Sequence, residues 1–255
     1  MFLKKFAFTL PFATLLVTAP VFAQSTLTPS VDWSGHYIGL ALGVTKAVAD
    51  PTSRVKSNGY FVTTDPGQVD PQGSQNLKAT IFNASLIGGL NRQFGNTVFG
   101  LETDIMLANF DEQYSSGNIT YITVPGSTFS ATTKVESKWI VSLRPRVGYA
   151  RNSSLFYVSA GPALTRFKYD FTFTDTNGPE SSNIRSHKTK LGWAASMGFE
   201  HKLQKGWALK AEYLFTNFSN IVKKSSALVT VPADGFNNKV DYRTNNIRLG
   251  LVKSF

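Results

Sequence analysis

Between residues 33 and 255 the chain falls into eight strand-length segments in which apolar and small or polar residues alternate, and the connectors between them are unequal. The runs are Trp33 to Ala47, Thr80 to Phe94, Thr97 to Phe110, Ser137 to Arg151, Ser154 to Phe173, Lys188 to Leu203, Trp207 to Phe218 and Arg243 to Phe255. In the first, Ile38, Leu40, Leu42 and Val44 alternate with Gly39, Ala41, Gly43 and Thr45; in the last, Ile247, Leu249 and Leu251 alternate with Arg248, Gly250 and Val252. A period of two puts each set on one face of a strand. Gly95-Asn96, Asn152-Ser153 and Gln204-Lys205-Gly206 are tight-turn sequences. The other connectors, at residues 48–79, 111–136, 174–187 and 219–242, are long. Short and long connectors in strict alternation describe an all-β, eight-stranded antiparallel up-and-down transmembrane barrel with four long extracellular loops.

A soluble lipocalin-type barrel also has eight strands, but is apolar inside and polar outside. Here the apolar rows are long and carry Trp139, Tyr149, Trp193, Trp207, Tyr213 and Phe255 towards the strand ends, as interfacial girdles do. The opposite rows carry glycines and charges. Composition agrees: aromatics reach 13% while charged residues are only 16%, against about a quarter in a soluble domain. The barrel is expected over residues 33–255, with residues 24–32 as a short periplasmic segment.

Residues 1–23 read as a signal peptide. Lys4 and Lys5 form the positive region, Phe6 to Val17 the apolar stretch, and Val21-Phe22-Ala23 a small-x-small cleavage site. Pro11, Pro20 and the shortness of the stretch disfavour a transmembrane helix. Cleavage removes two lysines and no acid, so the formal charge falls from +10 to +8. With no cysteine, an exported chain has no disulfide, lipoprotein anchor or thiolate metal site. These features place the mature chain in a bacterial outer membrane.

The inward rows contain Glu102, Asp104, Glu200 and Glu212 together with Lys138, Arg144, Arg146, Lys190, Lys210 and Arg248. Such charges are costly unless paired, so an interior salt-bridge network is expected. It could line an ion pathway or narrow small-solute channel, or it could plug the barrel; eight strands leave room only for side chains, which favours the plug. Glu102 and Asp104 share one face and could do acid–base work, but the surrounding cations favour ion pairing. The three histidines, His36, His187 and His201, form no catalytic or metal pattern, and no nucleophile or phosphate-loop motif is present. A non-enzymatic protein with no cofactor is expected. Lys46, Lys134, Arg166, Lys168, Lys188, Lys223 and Lys224 lie near the loop-side rim, where they either solvate loops or meet lipopolysaccharide phosphates. An exported barrel has little opportunity to meet nucleic acid.

The opening Trp33-Ser-Gly-His-Tyr-Ile-Gly resembles the Trp-x-Gly-x-Tyr-x-Gly start of the alphaproteobacterial RopB-type major outer-membrane proteins. The likeness continues in Ser142-Leu-Arg-Pro-Arg-Val-Gly-Tyr149, in Leu191-Gly-Trp193 to Glu200, in Lys210-Ala-Glu-Tyr213 and in Asn246-Ile-Arg-Leu-Gly250 to Phe255. The architecture resembles the OmpA transmembrane barrel. The family resemblance implies an abundant surface antigen that supports envelope integrity, with outer-membrane lipid, lipopolysaccharide and the barrel-assembly machinery as partners. It also implies, as an alternative, a haemin-binding or adhesive receptor that meets haemin or a host surface through its loops. Tyr60, Tyr114, Tyr121 and His187, scattered in the loops, make no haemin motif. The terminal Phe255 resembles the signal read by the assembly machinery, and the last strand is expected to pair with the first.

Overall fold

Alternation of this kind becomes structure only when each strand finds two neighbours, because every backbone N–H and C=O in lipid must be paired within the protein. The computed structural model describes residues 31–255, so the expected signal peptide and cleavage site lie outside the described residues. Eight long strands form the wall: β1 (Gly35–Lys56), β2 (Leu77–Phe94), β3 (Thr97–Ser115), β5 (Thr128–Arg151), β6 (Ser154–Asp175), β7 (Ser181–Lys202), β8 (Trp207–Ala227) and β9 (Gly235–Ser254). A two-residue strand β4 (Ile119–Thr120) and a helix α1 (Asp65–Gly73) lie in the connections. Every pairing is antiparallel, in the order β3-β2-β1-β9-β8-β7-β6-β5, and β3 pairs with β5 to close the ring. The closing partner of the last strand is the first: Tyr37 to Lys56 face Ser254 to Gly235, and the Phe255 amide donates to the His36 carbonyl at 2.9 Å.

The tight connections are built as expected, with positive φ at Gly95, Asn152, Lys205 and Gly206. At this end the outward rows are apolar and exposed; Leu40, Phe82, Leu191, Ile247 and Leu249 are examples. The aromatic residues at the girdle positions face outward with them, Trp139 being half-buried.

The loop end differs from the expectation. Strand pairing runs far into segments read as loops, so β6 and β7 are joined by residues 176–180 only, and β8 and β9 by residues 228–234. The cause is a reversal of polarity without a change of face. On β6, Phe167, Tyr169, Phe171 and Phe173 point inward and are buried, while Lys168, Asp170, Thr172 and Thr174 face out. The alternation of a strand persists, but its polar row is now outside, as in a water-soluble barrel.

Three further irregularities matter. Between Ser137 and Ile140 the pairing of β5 with β6 shifts, and inward positions change from odd to even numbers along β5. Above Trp193 and Asn217, β7 and β8 are no longer paired; Val229 N–H to the Ser181 carbonyl and the Ser182–Ser226 hydroxyl bond close the top of the seam. Beyond Ala49, β1 has lost β2, and there the helix segment substitutes: Ser74 Oγ accepts from Ser53 N–H, and Asp70 accepts from Val55 N–H. Gly73 permits this approach, since a Cβ would lie 2.5 Å from that of Ser53.

Candidate functional site

The inward row of β9 reads, from the tight-turn end upward, Arg248, Asn246, Thr244, Tyr242, Val240, Asn238 and Phe236, all of them buried. It samples three tiers that fill the lumen: ionic, then hydroxyl and amide, then aromatic.

The ionic tier joins Glu102 and Asp104 of β3, Arg144 and Arg146 of β5, Glu200 of β7, Lys210 and Glu212 of β8 and Arg248 of β9. Glu102 is its hub. It accepts from Arg144 at 2.7 Å, Arg146 at 3.0 Å, Lys210 at 2.5 Å and the Tyr37 hydroxyl at 2.8 Å. Glu200 takes Arg146 at 2.8 Å and Lys210 at 3.3 Å. Glu212 takes Arg248 at 2.5 Å and the Tyr157 hydroxyl at 2.5 Å. Asp104 pairs with Arg248 and accepts from the Ser142 hydroxyl at 2.9 Å. Four carboxylates face four cations, so the tier is neutral as well as mutually paired. That is the condition under which buried charge is tolerated.

Two tyrosines complete it. The Arg146 guanidinium lies 4.3 Å from the Tyr157 ring centre and 5.1 Å from that of Tyr37. Each ring lies over a glycine in register on the next strand, Tyr37 over Gly89 and Tyr157 over Gly198, where a Cβ would come within 2.4 Å of the ring. The ring fits only because those two positions carry no side chain.

Eight of the ten residues expected in this network are therefore together, and two are not. Lys138 lies in the β5 irregularity and is exposed on the outer wall, because the shift reverses the face it would otherwise take. Lys190 keeps its parity but sits beside Thr165, above the ionic tier, on the stretch of β7 that lacks β8; it is half-exposed and makes no ion pair among the described residues. Tyr37 was not singled out from the sequence, although it shares the parity of Gly39 and Ala41. Ser85, Ser142, Ser159 and Ser196 also belong to the network, supplying hydroxyls to Arg248, Asp104, Arg144 and one another.

Above the charges, Thr45 accepts from Asn83 at 2.9 Å and Asn246 at 2.7 Å, Thr216 bonds Thr244 at 2.6 Å, and Ser137 bonds Thr165 at 3.0 Å. The aromatic tier follows. Tyr242 packs against Phe110 and Phe167 with ring centres 5.2 and 5.0 Å apart, and Phe236 against Phe171 and Phe173 at 5.2 and 4.8 Å. Edge-on and tilted contacts predominate, as ring quadrupoles prefer.

Buried carboxylates tie the lid together. Asp175 accepts from the hydroxyls of Tyr121 at 2.6 Å and Tyr60 at 3.1 Å; Asp234 accepts from the backbone of Asn58 and Tyr60; Asp65 accepts from Thr123. Tyr60 and Tyr121 are thus not scattered but meet on one acid. Burial and the adjacent Asp175 push both phenols well above the ordinary tyrosine range. Tyr114 instead donates to Gln72 of α1, and His187 is exposed on β7. Among the described residues no group of His, Asp and Glu has metal-binding spacing.

A closed antiparallel barrel with an apolar outer band and a polar, charge-paired lumen is a transmembrane barrel of the outer-membrane class. The chain belongs to the outer membrane protein beta-barrel domain family, whose pattern it matches over residues 12–255. It is 30% identical over 246 residues to the 31 kDa outer-membrane immunogenic protein of Brucella melitensis, covering 95% of this chain and 92% of that one. The 25 kDa outer-membrane immunogenic protein of Brucella canis is 27% identical, covering 92% and 85%. A 22 kDa outer membrane protein of Rhizobium leguminosarum is 27% identical, covering 68% and 66%. The resemblance to an alphaproteobacterial outer-membrane family holds. Among solved structures, Neisserial surface protein A is similar at 14% identity and a TM-score of 0.43, covering 87% of this chain and 98% of that one.

Proposed function

We propose that the protein is a sealed, non-enzymatic structural barrel that supports the integrity of the outer membrane and presents its lid as a surface antigen. The observation that carries this reading is the neutral ionic tier, in which each carboxylate is already engaged by a cation. Opening a path through it would require several mutually dependent ion pairs to break together, and a buried charge that loses its partner without gaining water costs several kcal/mol. The aromatic tier above adds a second, apolar obstruction. The relatives' names, which describe immunogenic proteins of the outer membrane, agree with an exposed lid.

The test is conductance of the purified, folded chain in planar lipid bilayers. The sealed reading expects no stable unitary steps, and large, long-lived openings would overturn it. A strain lacking the gene should be more sensitive to detergent; restoration by the full chain but not by an assembly-defective one would tie the effect to the barrel itself. We assign the assembly signal to Phe255, which is 76% exposed at the end of the closing strand. Its deletion should lower the amount of heat-modifiable barrel, while the outward Leu249→Ala should leave it nearly unchanged.

A further inference from the structure

On the outer wall of the loop-end extension lies a groove of about 540 Å³ across β1, β9 and β8, lined by Thr52, Arg54, Lys223, Lys224, Asn237 and Lys239 among others. Its floor is fixed by strand register: Lys239 faces Thr52 on one side and Lys223 on the other, and Asn237 faces Arg54 and Ser225. Lys223 and Lys239 are thus directly opposed on the same face, an arrangement that destabilises a sheet. Arg54 lies diagonally from Lys239, two residues along from Thr52. Lys224 comes from the stretch of β8 that has no β7 beside it, and it is exposed although its register partner Asn238 is buried. Of these cations only Lys239 has an acid partner among the described residues, Asp241 at 2.8 Å, and that carboxylate also accepts from the Asn220 backbone.

We propose that this groove binds the anionic saccharide of the outer leaflet's lipopolysaccharide, through the phosphate and carboxylate groups of its core sugars. Charge complementarity selects an anion, and height selects the sugar layer. The outward row of β9 is apolar up to Ile247, and Lys239 lies eight residues beyond it. At about 3.3 Å per residue and a tilt of about 40°, the groove stands about 20 Å above the apolar band. That is above Lys46 and Lys78 on β1 and β2, the outward lysines that follow the apolar band and stand where the lipid phosphates would meet the wall. Several cations converging on one concavity suit a polyanion with spaced charges better than a single monovalent ion. The inference is independent of whether the lumen is sealed, since an open barrel could carry the same groove.

The test titrates the full chain, folded in detergent micelles, with deacylated rough-type lipopolysaccharide, which keeps the charged sugars and lacks the acyl chains. Lys223→Gln with Lys239→Gln should weaken binding at least tenfold, and Lys46→Gln with Lys78→Gln less than twofold. Added salt should weaken the wild-type interaction and have less effect on the Lys223/Lys239 variant. Arg54→Gln alone should give an intermediate loss and guards against misfolding of the double variant. Without ligand, Lys223→Gln should unfold at the same or a higher temperature than wild type, since it removes a like-charge contact. Equal affinity of the Lys223/Lys239 variant and wild type would overturn the assignment. So would an equal loss in the Lys46/Lys78 variant, or tight binding of heparin without binding of the deacylated saccharide.

Discussion

At the height of Glu102 the lumen is filled by ion pairs; at the height of Phe236, where the α1 segment stands beside β1 in place of β2, it is filled by aromatic rings. The outer wall changes in the opposite sense, from Leu249 and Ile247 to Arg243, Asp241 and Lys239 along a single strand. The difference teaches that the medium outside decides the filling inside. Where lipid surrounds the barrel the outward row must be apolar. An apolar inward row as well would make each strand one continuous apolar run, with no face to fix register. The inward row is therefore polar, and must satisfy itself. Where water surrounds the barrel the outward row is polar, and the hydrophobic effect can drive the inward row into a core.

This contrast has measurable consequences, the largest in the ionic tier. Arg144→Ala should cost about 3–5 kcal/mol, because it removes a partner from both Glu102 and Asp104 and leaves four buried carboxylates facing three cations, and should shift the unfolding of the barrel sharply on heated, unboiled gels. A smaller loss than that of a surface Arg166→Ala control would refute the idea that the tier acts as a mutually dependent unit. In the aromatic tier shape matters more than chemistry. Phe236→Leu should cost under about 1.5 kcal/mol by denaturant titration, since it keeps most of the volume and leaves no polar group unpaired. A cost equal to that of Arg144→Ala would erase the distinction between the tiers.

The middle tier should behave as an intermediate. Thr244→Val leaves Thr216 without its partner and should cost about 1–2 kcal/mol, whereas the double change Thr216→Val with Thr244→Val should recover most of that loss. A strictly additive double variant would show that the hydroxyl pair contributes no coupling.

The smallest effect is expected in the lid. Tyr60 and Tyr121 have raised pKa values, so they stay neutral in the folded lid while unfolded tyrosine ionises above its ordinary value of 10.0. Their contribution is complete below that pH and falls as pH rises above it. Limited proteolysis of residues 57–64 and 121–127 should therefore accelerate above about pH 10 while the wall stays intact. Tyr121→Phe should blunt that pH dependence at a cost of about 1 kcal/mol or less to the lid.

Much of this was legible before any coordinates. A period of two needs no neighbours to be read, so the strands and the inward side of Glu102, Asp104, Arg144, Arg146, Glu200, Lys210, Glu212 and Arg248 follow from local pattern, while the pairing of the last strand with β1 follows from the need to leave no open edge in lipid. The strand extensions were hidden because a polar outward row reads as loop when lipid is assumed outside; Thr174 looks like a connector residue until Phe171 and Phe173 are seen to meet Phe236 and Phe129. Lys138 was misplaced because an irregularity in pairing is a property of two strands, and parity counted along one of them cannot reveal it. The match of Arg248 with Asp104, and the two tyrosines laid over glycines, likewise belong to the closed ring. Within an unbroken run, sequence alone set which face each side chain takes, because that depends on the chain's own geometry; the tertiary structure decided where a run breaks and which side chains share a height and touch, because that depends on register and closure across strands distant in sequence.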